Sequence, residues 1–399
     1  MTELIYLDHA ATTPLHPEAL DAMLPYLRGR FGNPSSAHRL GAEASRAVEN
    51  ARRRVAAVLG CSPSEVVFTS GGTESINAAI KGVAQAQRLA RVGDHIVTTA
   101  IEHHAVLHAC QHLERLGFEV TYVPVDADGL VSPDAVAAAV TERTVLVSVM
   151  TANNEVGVIQ PIAEIAAAVR ERGRSLRRRI FVHTDAVQAA NALPLDVGAL
   201  GVDLLSLSSH KFRGPKGAGV LYLRRGVPFL AQLDGGGQER QRRSGTENVA
   251  GIVGTAVALE IAQRERETYA ATCRALRDRL IEGVMASVPG VTLNGHLERR
   301  LPNNASLAFE GADARRLVEL LDEQGIACSA ASACAAQVVE PSHVLMAMGL
   351  SLDRALGTLR FSLSSETTQE EIDRVLAVLP GIVERARRES SLASAASAP

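Results

Sequence analysis

The chain has 399 residues, of which 46% are hydrophobic and 21% charged, and its formal net charge is −3. This length allows two domains with a large buried core, and the composition is typical of globular rather than disordered proteins. A slightly acidic chain lacks the basic field that attracts nucleic acids or anionic membranes. We therefore expect a small-molecule substrate and no direct nucleic-acid binding.

No apolar run approaches the roughly 20 residues of a membrane helix, and the start, MTELIYLDHAATTP, lacks a signal-peptide pattern. We expect a cytoplasmic protein that does not enter a membrane. The cysteines are odd in number and show no CxxC spacing, which argues against a disulfide framework and against a zinc site. They are Cys61, Cys110, Cys273, Cys328 and Cys334.

From about residue 65 to 225, apolar strand-like runs alternate with amphipathic helical segments. The predicted strands are EVVFTS, DHIVTTA, EVTYVPV, TVLVSVM, RIFVHTD, DLLSLSS and GVLYL, and ESINAAIKGVAQAQRLAR is one of the helices. This alternation predicts an α/β fold with a mainly parallel seven-stranded sheet and helices on both faces.

The pattern changes after about residue 260, where a long helix leads into short strands and helices that predict a smaller α+β domain. We expect a large domain over 16–260 and a small domain formed by 1–15 and 261–385. The Ser/Ala-rich segment 386–399 is expected to be disordered. For the basic stretch at 171–179, a solvated helix end is favoured over a docking patch.

Polar residues follow several predicted strands, and open α/β sheets bind ligands at such strand ends. In GGTES, Gly71 and Gly72 let backbone N–H groups converge on an anion such as phosphate, although an ordinary helix start fits this motif better when it is taken alone. Two further strand ends carry His103–His104 and Asn153–Asn154. Each of these pairs fits a ligand site and a self-satisfied loop equally well.

The strongest chemical signal is a carboxylate and a lysine at two strand ends. Asp185 ends the strand in RIFVHTDAVQ, Gln188 follows it, and Lys211 comes after the strand in DLLSLSSHK. Enzymes that use pyridoxal 5'-phosphate (PLP) need a Schiff-base lysine and an acidic partner for the pyridinium nitrogen. Either residue alone fits a cap or a surface charge, but together with the glycine turn they predict a PLP site.

Motifs along nearly the whole chain resemble those of the cysteine desulfurases of the NifS/IscS type, within the class V aminotransferase superfamily. In chain order they are YLDHAATTP, FGNPSSAHRLG, TSGGTESIN, EHHAVL, NNEVG, HTDAVQ, SSHKFRGPKG, RRSGTEN, SACAAQVVEPSHVLMAMG and LRFSLSSETTQEEID. The resemblance implies fold type I of the PLP-dependent transferases, with the cofactor in the large domain.

The resemblance also implies a role for each matching residue. Lys211 would form the internal aldimine, Asp185 would pair with the pyridine nitrogen, and His103 would stack on the ring and help to move protons. Gln188 and Asn154 would lie near the phenolic oxygen of the ring and the substrate.

Further residues would hold the phosphate and the substrate carboxylate. The implied phosphate ligands are Gly72, Thr73, Ser208, His210 and, from the other subunit of a homodimer, Thr246. Arg360, in TLRFS, would bind the substrate carboxylate with its planar guanidinium group.

Cys334 distinguishes the desulfurases from other members of the superfamily, because a thiolate is the nucleophile that takes sulfur from a cysteine substrate. The resemblance implies that L-cysteine becomes L-alanine and that a persulfide on Cys334 is passed to an acceptor. The family commonly has Gly-Ser before the Ala-Cys of this loop, where this chain has Ala331-Ser332. Since alanine allows fewer backbone conformations than glycine, the difference bears on transfer to acceptors.

Sulfur delivery to an iron–sulfur scaffold protein, or to thio-cofactor or tRNA biosynthesis, is the expected cellular role. Two alternatives stay open: a selenocysteine lyase, and a desulfurase specialised for nucleic-acid sulfur modification. A scaffold that only binds a partner is disfavoured, because binding alone needs neither the lysine nor the thiol.

Overall fold

The structure, a computed structural model, describes residues 4–331, 334–335 and 338–396, and for 334–335, 338–339 and 391–396 it describes the backbone alone. The strands are β1 (Ile5–Tyr6), β2 (Val66–Thr69), β3 (His95–Thr99), β4 (Glu119–Val123), β5 (Thr144–Ser148), β6 (Phe181–Asp185), β7 (Leu204–Ser208), β8 (Gly219–Leu223), β9 (Val291–Leu293), β10 (Asn304–Phe309), β11 (Ile326–Ala327), β12 (Ser329–Ala330), β13 (Cys334–Ala335), β14 (Val338–Val339) and β15 (Thr358–Ser362).

The helices surround and connect these strands. They are α1 (Pro17–Arg28), α2 (Arg39–Leu59), α3 (Gly72–Leu89), α4 (His104–Arg115), α5 (Pro133–Ala139), α6 (Ile162–Ser175), α7 (Val197–Leu200), α8 (Gln238–Gln241), α9 (Val249–Ser287), α10 (Ala314–Asp322), α11 (His343–Ala347), α12 (Leu352–Leu356) and α13 (Gln369–Ala396). In the described part of the chain, no helix combines the length and the apolar character needed to cross a bilayer.

The large sheet has seven strands in the order β2-β8-β7-β6-β5-β3-β4. Of these seven, β8 runs antiparallel to its neighbours β2 and β7, and the remaining pairs are parallel. The prediction of a mainly parallel seven-stranded α/β sheet is therefore confirmed. Because six strands run in one direction, their carboxyl ends lie along one edge of the sheet, as ligand sites in open α/β sheets require.

Both faces of this sheet are covered by helices, which explains why its strands are almost continuously apolar. α3 and α4 pack on one face, and α2, α6 and the start of α9 pack on the other. Successive strand residues contribute to opposite faces: Ile96 belongs to the α3–α4 layer and Val97 to the α2–α6 layer.

A second, four-stranded antiparallel sheet, β12-β15-β10-β9, has its own core. α9 links the two cores, because Ile252 and Leu259 pack against the large sheet while Leu280 and Val284 pack against the small one. The N-terminus joins the small core through Ile5, which pairs with Ile326. Domain limits at residues 15–16 and 260–261 stay a prediction.

The C-terminal segment differs from the expectation of disorder after residue 385. α13 continues to Ala396, and Val383 and Ala386 are fully buried in the small core. Glu389 accepts hydrogen bonds from Arg385 and Arg316. Apolar positions at helical spacing and these ion pairs extend the helix into a sequence whose composition alone suggested disorder. Residues 397–399 lie outside the described part.

A buried ion pair fixes a left-handed turn beside the large sheet. Arg52 donates to both carboxylate oxygens of Glu239, at 2.7 and 2.8 Å, and the two side chains are 3% and 2% exposed. Glu239 begins three consecutive residues with positive φ, 49°, 57° and 63°. A left-handed helical backbone costs roughly 1–2 kcal/mol for each residue other than glycine. The bidentate pair must therefore hold this turn in place.

We expect Arg52→Ala to lower the free energy of unfolding by about 3–5 kcal/mol, because it leaves the Glu239 carboxylate buried and unpaired. Urea denaturation of the variant and the wild type measures the difference. Arg143→Ala is the matched control: it removes the exposed pairs with Asp94 and Glu119 and should cost at most about 1 kcal/mol. Equal losses in the two variants would contradict the role of the buried pair.

Candidate active site

A cavity of about 640 Å³ lies at the carboxyl-end edge of the large sheet. It brings together most of the residues that the sequence singles out: Gly72, Thr73, His103, Asn154, Asp185, Gln188, Ser208, His210, Lys211 and Arg360. Thr246 instead lines a smaller cavity with Phe68 and Ser70. The backbone of Cys334 lies in β13, and its side chain is outside the described part of the structure.

Lys211 ends a single 3-10 turn that follows β7. Its Nζ donates to the carbonyl oxygens of Ala10 and Ala11, both at 2.6 Å. Burial, together with the nearby charge of Arg360, lowers the pKa of the amine to about 8, and the carboxylates of Asp8 and Asp185 only partly oppose this. A lysine with this pKa is partly neutral near pH 7, as a nucleophile or base must be.

Asp185 is the last residue of β6 and is buried. Burial raises its pKa to about 6, while the backbone N–H of Val187, which donates to Oδ1 at 2.9 Å, and the charge of Lys211 counteract the rise. The carboxyl group is therefore ionised at neutral pH. A buried carboxylate at this edge can hold a protonated ring nitrogen.

The glycine turn forms an anion cradle at the start of α3. A Cβ on Gly72 would stand 2.9 Å from Val187 Cγ2 and 3.2 Å from the Cβ of Ser208, so only glycine lets the three elements approach this closely. The first N–H groups of a helix have no partner within it, and Thr73 and Ser208 add hydroxyl groups beside them. This donor set fits a phosphate group.

Two imidazoles flank the cavity in neutral form. His103 is the N-cap of α4, where its Nδ1 accepts a hydrogen bond from Ala105 N at 3.1 Å, so its proton is assigned to Nε2. His210 Nδ1 contacts Thr12 Oγ1 at 3.1 Å. Burial and the charge of Lys211 lower the pKa of each ring to about 4.

Arg360, in the middle of β15, reaches the cavity from the small sheet. Its Nη2 donates to Asp8 Oδ1 at 2.8 Å, and its Nη1 donates to the carbonyl oxygen of Asn154 at 3.0 Å. Among the described residues, its buried Nε has no hydrogen-bond partner. The guanidinium group is thus fixed in place, and each Nη keeps one N–H that these two bonds do not use.

The N-terminal segment also forms part of the site, and the sequence alone did not indicate this. Asp8 pairs with Arg360, Gln188 Nε2 donates to the carbonyl oxygen of Ala10 at 3.0 Å, and Ala10, Ala11 and Thr12 line the cavity. The motif YLDHAATTP was the available signal. It gave no partners for these residues, because backbone carbonyls and contacts between residues 178 to 352 positions apart leave no local pattern.

A second cavity, of about 580 Å³, shares His103, Asn154 and Arg360 with the first. Its other wall includes Ala331 and His343, which precede and follow Cys334 in the chain. Cys328 also contributes, but it is buried, and desolvation raises the pKa of its thiol. Cys328 is therefore an unreactive thiol.

The residues present fit PLP: a cradle for phosphate, a buried carboxylate for the ring nitrogen, and an amine of low pKa for the aldehyde. The family model for class V aminotransferases matches residues 5–375. Among solved structures, a NifS-like protein aligns with a TM-score of 0.89 at 42% identity, over 96% of this chain and 100% of its own. DndA from Streptomyces lividans aligns with a TM-score of 0.76 at 38% identity, over 90% and 99%.

Curated relatives match this chain over almost its full length. Cysteine desulfurase IscS of Methanosarcina thermophila is 50% identical over 388 residues, which are 97% of this chain and 94% of the relative. Cysteine desulfurase IscS of Dictyoglomus turgidum is 46% identical over 387 residues, 97% of this chain and 96% of the relative. The chain therefore belongs to the class V aminotransferase family of PLP-dependent enzymes and, within it, to the cysteine desulfurases.

Proposed function

We propose that this enzyme converts L-cysteine to L-alanine and keeps the sulfur atom as a persulfide on Cys334. The observation that carries the proposal is a pair of cavities that share His103, Asn154 and Arg360. One holds a lysine of low pKa between Asp185 and Arg360, and the other has the chain on both sides of Cys334 in its wall.

The cofactor would be held by residues at five strand ends. The phosphate would take hydrogen bonds from the following groups of the cradle: Gly72, Thr73, Ser208 and His210. Asp185 would keep the ring nitrogen protonated, His103 would stack on the ring, and Gln188 and Asn154 would lie beside the phenolic oxygen and the substrate. When bound, PLP withdraws electrons from the α-carbon of the substrate and stabilises the negative charge that develops there.

Arg360 would bind the substrate carboxylate, since each of its Nη groups keeps one N–H that the bonds to Asp8 and Asn154 do not use. Asp8 and the Asn154 carbonyl already fix the plane of the guanidinium group, so little orientational freedom is lost on binding. Lys211, once neutral, would remove the α-proton and return a proton to the product. Its pKa of about 8 allows both directions of transfer near neutral pH.

Cys334 would attack the substrate sulfur as a thiolate. A sulfur–sulfur bond forms, the bond between sulfur and the β-carbon breaks, and the β-carbon ends with the proton that the substrate thiol gives up. Thiolate and cysteine thus become persulfide anion and alanine, with no external oxidant or reductant. A thiol of an acceptor protein would then take the terminal sulfur atom.

We further propose a cytoplasmic homodimer in which Thr246 of each subunit reaches the phosphate bound by its partner. Thr246 lies beside Ser70 and Gly217, which also line the large cavity, but it does not line that cavity within its own chain. Supply of sulfur to an iron–sulfur scaffold protein, to thio-cofactors or to tRNA is the proposed use. It rests on the resemblance to the NifS/IscS group.

PLP loading should depend on pH through Lys211. Its amine must be neutral to attack the aldehyde of the cofactor, and burial lowers its pKa to about 8. The rate of loading into the apo-protein should fall about tenfold for each pH unit below 8 and level off above it. Absorbance of the protein after mixing with PLP measures the rate. A rate that still rises up to pH 10 would show an ordinary lysine.

Cys334→Ala should abolish alanine production from L-cysteine and the mass increase of one sulfur atom on the protein, since among the other described cysteines only Cys328 lines either cavity, and it is buried. Cys328→Ala is the matched control and should retain both signals, because that thiol is buried and its pKa is raised. Alanine formation that survives Cys334→Ala would contradict the mechanism. If selenocysteine alone were turned over, the selenocysteine lyase alternative would be supported instead.

Mixed dimers test the shared site. Lys211→Ala and Thr246→Ala chains are each expected to give weakly active homodimers, because every site then lacks one of the two residues. A hybrid of the two chains regains one complete site and should show about half of the wild-type activity. Differently tagged chains, co-expressed and purified in tandem, provide the hybrid. Activity no higher than that of either parent dimer would place Thr246 outside the partner's site.

A further inference from the structure

Both ends of the segment that carries Cys334 are attached to residues at the site. At the start, Ser329 of β12 pairs with Arg360 of β15, and the backbone N–H of Ala331 donates to the carbonyl oxygen of Thr358 at 3.0 Å. The first attachment point is thus the strand that holds the proposed carboxylate clamp.

The other end is attached to the large sheet by two side-chain hydrogen bonds. Ser342 Oγ donates to the Glu155 carboxylate, and Glu155 directly follows Asn154. His343 Nε2 donates to the carbonyl oxygen of Glu102 at 2.9 Å, and Glu102 directly precedes His103. Each bond therefore ends one residue away from a residue that lines both cavities.

Apolar packing supports the same attachment. Val344 and Leu345 of α11 belong to one buried cluster with Ile101 and Val156, which lie in the loops after β3 and β5. Ser342 is also the N-cap of α11, since its Oγ accepts from Leu345 N at 3.2 Å. The hydroxyl thus orients the helix start and ties it to Glu155 at the same time.

Residues at both attachment points line the cavity of about 580 Å³, Ala331 at the start of the segment and His343 at its end. The reach of the chain between fixed points decides where Cys334 can stand relative to a substrate held at Arg360. A shift of about 1 Å in a reacting group can slow a reaction about 100-fold. The position of the second attachment point therefore affects the rate at which Cys334 can attack the substrate sulfur.

We propose that Glu155 and Ser342 are positioning residues for sulfur transfer, and that their hydrogen bond sets the place from which Cys334 attacks the substrate sulfur. Neither residue lines the large cavity, and of the two only Glu155 lines the second one. The inference rests on the proposed function, since it presupposes Cys334 as the nucleophile. His343 and its bond to Glu102 hold the same end of the segment but involve a backbone acceptor, so the Glu155–Ser342 pair is the one to alter.

The test compares two steps in the PLP-loaded enzyme. The absorbance change of the cofactor on mixing with L-cysteine reports substrate binding and proton removal, and the protein mass after quenching reports persulfide formation. In Glu155→Ala and Ser342→Ala we expect persulfide formation to slow by about 10- to 100-fold, while the absorbance change stays within about twofold of the wild type. The double variant should be no slower than either single variant.

Conservative variants separate the hydrogen bond from other effects. Glu155→Gln keeps an acceptor, and Ser342→Thr keeps both the donor and the cap, so both should form persulfide at close to the wild-type rate. Ser351→Ala is the matched control for loss of a cap: Ser351 caps α12 through Arg354 N and has no bond to Glu155. Its persulfide rate should be unchanged.

Three outcomes would overturn the inference. The first is wild-type persulfide formation in Glu155→Ala. The second is an equal slowing of the absorbance change and of persulfide formation, together with a higher KM for cysteine in Glu155→Gln. This result would show that the charge near Arg360 matters and not the hydrogen bond. The third is a wild-type enzyme that produces no persulfide, and only this result would also remove the proposed function.

Discussion

The position of the Lys211 amine among fixed charges is the constraint on which the site depends. Burial and Arg360 favour the neutral amine, whereas Asp8 and Asp185 favour the cation, and the balance gives a pKa of about 8. A more polar cavity would leave the amine protonated, and removal of the carboxylates would leave Arg360 without its anchor. The pKa of one lysine is thus set by residues from the N-terminus, the large sheet and the small sheet at once.

The sequence predicted those features of the fold that depend on local pattern. Apolar runs such as VVFT and TVLVS indicated strands, helical spacing indicated the covering layers, and alternation of the two indicated a parallel sheet. The carboxyl-end rule then placed Asp185, Lys211 and the glycine turn at one edge, and the structure brings them to one cavity. Each of these predictions needed only neighbours in the chain and one general property of α/β sheets.

Features that depend on distant partners could not be predicted in this way. Asp8 looks like any acidic residue near a terminus until Arg360, 352 positions away, is placed beside it. The bond from Ser342 to Glu155 spans 187 positions. The C-terminal helix departs from the prediction of disorder for a related reason. Its Ala and Ser content suggests disorder, but contacts with the small core stabilise the helix. The roles of individual site residues stay predictions that experiments must decide.

Because residues 8–12 lie at the cavity, the order of synthesis along the chain affects when the cavity can be completed. These residues are synthesised before the large sheet, whereas Ile326, which pairs with Ile5, and Ser362, whose carbonyl oxygen accepts from His9 N, are synthesised after it. The large sheet can assemble while the nascent chain is still attached, but the cavity lacks one side until the small sheet folds. The cavity is therefore completed late, and a chain released before β15 would carry Lys211 without Arg360, whose charge helps to lower the pKa of the amine.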